Sequence, residues 1–143
     1  MASTLAFAAA SVLVPLSAAH GQSLPAGGTV THGAALIDAT SATVTITQST
    51  NRAVIDWNSF SVAQNNSVVF RQPDAGSATL NRVTGATTSA IAGSIAANGA
   101  VYLVNPNGIA ITRTGKVQTG GGFVASTIDI SNADFMSGQL RFI

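Results

Sequence analysis

Few side chains in this protein could do acid–base chemistry. Five aspartates, Asp38, Asp56, Asp74, Asp129 and Asp134, are the whole carboxylate supply, because there is no glutamate. Cleaving a polysaccharide would need such carboxylates to converge, around a metal ion or as a paired acid and base. Asp129 and Asp134 stand five residues apart with no third ligand type beside them. They read as solvated groups at turns and strand ends. A Ser-His-Asp site would have to use His32, the one histidine beyond residue 21, which lies in a glycine-rich stretch and reads as polar surface. The absence of cysteine excludes disulfides, zinc-thiolate sites and thiol catalysis together. The net charge is +1 and the basic residues are scattered, so no nucleic-acid partner is implied. Arg52, Arg82 and Arg113 read as rim residues. No catalytic residue, metal ligand or cofactor site emerges, and the chain does not read as an enzyme.

The elements that would position such groups are strands. Of residues 22–143, 42 are Ser, Thr, Asn or Gln, a polar surface suited to strands and turns. Helix formers are scarce: one lysine, no glutamate, few leucines past residue 25. "ATVTIT" (42–47) alternates, with Val44 and Ile46 on one face. "AVIDWNSFSV" (53–62) puts Ile55 and Trp57 on one face. Phe60 and Val62 return to it one residue late, so a bulge or corner is expected near Asn58 and Ser59. Trp57 and Phe60 read as core rather than as a sugar platform. "SVVF" (67–70) and "ATLNRVTG" (78–85) are further short strands around the loop "RQPDAGS" (71–77). "TTSAIAGSIAANG" (87–99) is ambiguous: Ile91 and Ile95 have helical spacing, but Gly93 and the β-branched content suit short strands or turns equally.

Asn98-Gly99, Asn107-Gly108 and Thr114-Gly115 each lead into a β-branched residue, with the glycines nine and seven residues apart. That spacing suggests an all-β fold and suits a parallel β-helix, although a hairpin sandwich has similar spacing and no strict repeat is visible. "GGGFVASTIDISNADFMSGQLRFI" (120–143) reads as strand, then the polar turn "SNAD", then an apolar end. Such an end predicts either a further rung in a longer protein or a fragment. The first 21 residues are uncharged and apolar through Val14, then Pro15 and small residues. They read as a secretory signal peptide whose basic start lies upstream, cleaved after Ala19 or Gly21.

"VYLVNPNGIAIT" (101–112) sets four turn-formers between two apolar runs. Asn105 can bond a backbone N–H two residues on. Pro106 presets φ, Asn107 tolerates the third position, and Gly108 takes the positive φ after it. By itself this needs no partner to explain it. Losing a single turn hydrogen bond here, as in Asn105→Ala, is expected to cost about 1 kcal/mol.

"AVIDWNSFSV", "LNRVTG", "SIAANGAVYLVNPNGI" and "GGGFVASTIDIS", in that order, resemble the N-terminal secretion domain of two-partner secretion exoproteins of the filamentous haemagglutinin type. The likeness runs from Leu24 to the last residue and includes the family's NPNGI hallmark at Asn105, Pro106, Asn107, Gly108 and Ile109. It implies a right-handed parallel β-helix with an N-terminal cap and extra-helical hairpins, truncated at its C-terminal end. Residues 1–21 would be the signal peptide and 22–143 a partial secretion domain. The implied partner is an outer-membrane β-barrel transporter that recognises the domain in the periplasm through POTRA domains. Folding outside would template the rest of an adhesin or toxin, whose downstream regions would meet a host or neighbouring cell. The family's second motif, NPNL, is absent: the prolines are Pro15, Pro25, Pro73 and Pro106. The NPNGI turn is expected to serve folding, recognition or both. Two alternatives stay open: a carbohydrate-active β-helix, and a truncated remnant without function.

Overall fold

A computed structural model describes residues 23–143, so the expected signal peptide lies outside the described residues. The described chain forms twelve strands and one short helix. The strands are β1 (Thr29–His32), β2 (Ala35–Ala39), β3 (Thr43–Gln48), β4 (Arg52–Trp57), β5 (Ser67–Arg71) and β6 (Ala78–Val83). They continue as β7 (Ser89–Ile91), β8 (Ser94–Ala97), β9 (Ala100–Val104), β10 (Ile109–Ile111), β11 (Lys116–Thr119) and β12 (Gly122–Ser126). Helix α1 spans Asn132–Ser137.

From β3 onward the chain coils. Three parallel sheets form its faces: β4-β6-β9-β12, β7-β10, and β3-β5-β8-β11. This is a parallel β-solenoid of about four turns. Arg52 pairs with Ala78, Ala78 with Ala100 and Ala100 with Gly122, so successive turns take 26, 22 and 22 residues. The glycine spacing of nine and seven residues is thus part of one 22-residue turn. At the N-terminal end β1 runs antiparallel to β4 and β2 antiparallel to β3, which caps two of the sheets. Ten of the twelve strands make up these three faces, and β1 and β2 extend two of them as the cap.

Strand alternation fills the coil. Val44, Ile46, Ile55, Trp57, Val68, Phe70, Ile95, Val101 and Leu103 point inward as one buried core. Asn58 and Ser59 form a corner rather than a bulge: the chain leaves β4 there, and Val62 bridges Ile91 on the second face. That lets Phe60 and Val62 rejoin the core, with Phe60 edge-on to Trp57 at 5.6 Å. Ile91 and Ile95 are both buried because a corner at Ala92 and Gly93 lies between β7 and β8. Their four-residue spacing is that of a corner, not of a helix.

The expected "SNAD" turn is instead the start of α1. The Ser131 side chain accepts from the Asp134 N–H, and Gly138 at φ 86° ends the helix. Phe135 and Ile130 pack on the outer side of the first sheet, over Val54, Leu80 and Val104. The sheet is therefore buried on both faces.

Candidate functional site

The NPNGI segment is the corner between β9 and β10. Gly108 N–H donates to the Asn105 carbonyl at 3.0 Å and Asn107 N–H to Asn105 Oδ1 at 2.9 Å, as a type I turn requires. Gly108 sits at φ 118°. Ile109 begins β10, opposite Ser89, and packs against the inner core.

The asparagine side chains reach further than turn chemistry alone predicts. Asn105 is fully buried. Its Nδ2 donates to the Thr87 carbonyl at 3.0 Å and to Ser89 Oγ at 2.9 Å. Asn107 Nδ2 donates to the Gly85 carbonyl at 2.9 Å and to Asn105 Oδ1 at 3.0 Å. The loop just before β7, one turn earlier, therefore holds this corner from beneath. Pro106 and Asn107 face solvent. Thr87 and Ser89 carry no motif of their own, and Gly85 only closes the "LNRVTG" stretch. Only the length of a solenoid turn, which sets them under residues 105–109, could have singled them out.

The carboxylates are placed differently from the sequence reading. Asp56 and Asp129 converge, but on Arg82: its Nη1 lies 3.1 Å from Asp56 and its Nε 3.0 Å from Asp129. Nη2 donates to the Ile130 carbonyl at 2.7 Å. Arg82 is only 13% exposed and is a clamp rather than a rim residue. Asp134 pairs with Arg141 at the surface, and Asp74 accepts from Gly76 N–H within its loop. His32 is exposed, with Nδ1 3.4 Å from Thr31 Oγ1. Among the described residues no three His, Asp or Glu side chains are grouped to hold a metal ion. A shallow hollow of about 390 Å³ lies on the cap between Val30, Leu36 and Thr47, well away from this corner in the chain.

This capped parallel β-solenoid is the fold that the chain shares with a secretion domain of known structure. The TPS secretion domain model matches residues 21–142, and the chain belongs to that family, the secretion domains of two-partner secretion exoproteins. It is 45% identical over 112 residues to a heme/hemopexin-binding protein of Haemophilus influenzae strain Rd, covering 78% of this chain and 12% of that protein. A second Haemophilus influenzae heme/hemopexin-binding protein is 39% identical over 99 residues, covering 69% of this chain and 11% of the relative. The crystal structure of the HMW1 secretion domain from Haemophilus influenzae superposes with a TM-score of 0.73 at 38% identity, over 80% of this chain and 30% of that one. The chain thus spans about an eighth of the length of the curated relatives it matches. Exoproteins of this class are secreted across the outer membrane to the cell surface or the medium.

Proposed function

We propose that this chain targets a filamentous haemagglutinin-like exoprotein for secretion. A signal peptide over residues 1–21 takes it to the periplasm. There the POTRA domains of an outer-membrane β-barrel transporter recognise it, and outside the cell its coil templates the folding of the rest of the exoprotein. Regions downstream of this domain then engage a host or neighbouring cell, as an adhesin or toxin would. No catalytic residue, metal or cofactor enters this reading.

One observation carries it. Asn105, Asn107 and Gly108 build a corner tied down from within by Asn105 and presented to solvent at Pro106 and Asn107. A prolyl turn fixed in advance is a low-entropy recognition surface, and neighbouring edge strands offer the backbone groups that extended partners add to. Asn105 serves folding; Pro106 and Asn107 serve contact with the transporter. The scarcity of charge also suits a chain that must pass through a pore without electrostatic trapping.

The test is co-expression with a two-partner outer-membrane transporter. Pro106→Ala should leave the folded state intact, judged by Trp57 fluorescence, and lower the secreted fraction severalfold. Unchanged secretion after deletion of the transporter gene would sink the reading.

A further inference from the structure

We propose that residues 127–143 form a strap that closes last and locks the stacked turns in register. The outer face of the first sheet is a grid of three columns. Arg52, Ala78 and Ala100 make one, Val54, Leu80 and Tyr102 the second, and Asp56, Arg82 and Val104 the third. After β12 the chain does not remain on its own turn. It turns back and crosses the strands of all three earlier turns.

The anchors of this segment together reach three strands. Arg82 of β6 holds Asp129 and the Ile130 carbonyl. The Phe135 ring lies under the Arg52 guanidinium of β4 at 5.3 Å and edge-on to Tyr102 of β9 at 5.4 Å. Phe142 stacks on Tyr102 at 6.4 Å, and its bridge to Ile130 closes the segment on itself. Ile130 and Phe135 are fully buried by these contacts, in a cluster separate from the core inside the coil.

The geometry makes closure conditional on register. A slip of one residue between β6 and β9 would turn Tyr102 and Val104 inward. A slip of two would keep their facing but carry Tyr102 about 7 Å along the sheet, so Phe135 could not meet both Arg52 and Tyr102. The strap therefore finds its seat only after β4, β6 and β9 have stacked correctly. Once seated, it must leave before those strands can separate. Its contacts are absent while the turns assemble, so they act on unfolding and not on folding. This does not depend on recognition by a transporter and is tested without one.

The experiment is stopped-flow unfolding and refolding of the purified chain in urea, followed by Trp57, which lies inside the coil. Phe135→Ala should raise the unfolding rate about 30-fold or more while refolding stays within about twofold. Val101→Ala, in the inner core on β9, is the comparison and should slow refolding. If Phe135→Ala does not fold, Phe135→Leu and Ile130→Val should show the same division with factors of about three to ten. A strap variant that slows refolding as much as Val101→Ala, or leaves unfolding unchanged, would overturn the proposal.

Discussion

Asn105 donates its side-chain N–H to Ser89 Oγ at 2.9 Å, one turn earlier in the coil, from a fully buried position. The same side chain holds the Thr87 carbonyl and accepts from both nitrogens of Asn107. Asn105→Ala therefore removes four hydrogen bonds, one of them to the buried Ser89 Oγ, rather than one turn bond. We expect it to cost about 3 kcal/mol, against about 1 kcal/mol for a lone turn hydrogen bond. Pro106→Ala, at an exposed position, should cost less than about 1 kcal/mol. Urea midpoints of the two variants decide this. Equal losses would mean that the bonds to Ser89 and Thr87 contribute nothing.

Gly93 is needed for space. A Cβ there would collide with the carbonyl oxygens of Ala63 and Asn66, which belong to the backbone and cannot rotate away. Gly93→Ala should lower stability by about 2–4 kcal/mol. Gly76 is the control: a Cβ there would meet only Asp74 Oδ1, at 3.3 Å. Gly76→Ala should stay within about 0.5 kcal/mol of the parent. Thermal melts of both variants make the comparison, and similar melting temperatures would refute it.

Val44, Ile46, Ile55 and Trp57 were legible because alternation within one strand depends only on local pattern. The NPNG turn was legible for the same reason. What failed to show in the sequence depends on which residues a solenoid turn stacks. Arg82 reads as a rim residue until Asp56, 26 residues earlier, and Asp129, 47 later, are brought to it. Ser89 shows no purpose until the corner at Asn105 lies above it. The spacing of Ile91 and Ile95 misleads because a corner and a helix both return a side chain to the same face after four residues. "SNAD" has the composition of a turn, and only Phe135, buried against the sheet, supplies the packing that makes a six-residue helix worth forming.

Trp57 joins two turns through its indole. Its Nε1–H donates to Asn81 Oδ1 at 2.9 Å, and Asn81 Nδ2 passes the contact on to the Tyr102 carbonyl at 3.1 Å. Trp57→Phe keeps a ring against Phe60 but leaves Asn81 Oδ1 buried without a donor. The expected loss is about 2–3 kcal/mol, most of it the unmet hydrogen bond. Combining Trp57→Phe with Asn81→Leu should recover part of the loss. A strictly additive double variant in urea unfolding would show that the bond carries no coupling.

A second buried polar chain crosses the corner between β5 and β6. Gln72 Nε2 donates to Thr79 Oγ1 at 3.0 Å and to the Ala100 carbonyl at 2.9 Å, and its Oε1 accepts from Gly99 N–H at 2.7 Å. Thr79 donates in turn to Gln48, whose Nε2 holds the Ala78 carbonyl at 3.1 Å. Glutamines 48 and 72 thus satisfy, from inside the coil, backbone groups that the corners take out of the sheet ladders. Leucine fills a similar volume but can make none of these bonds. Gln72→Leu should lose about 3 kcal/mol, since Gly99 N–H and the Ala100 carbonyl would be left unmet. The local readout is the Gly99 amide, whose hydrogen exchange should accelerate about tenfold or more while amides in the centre of β4 follow the global stability. If Gln72→Leu is instead as stable as the parent, apolar packing at this corner offsets the lost bonds. The polar chain would then select the register of the turns without adding to their stability.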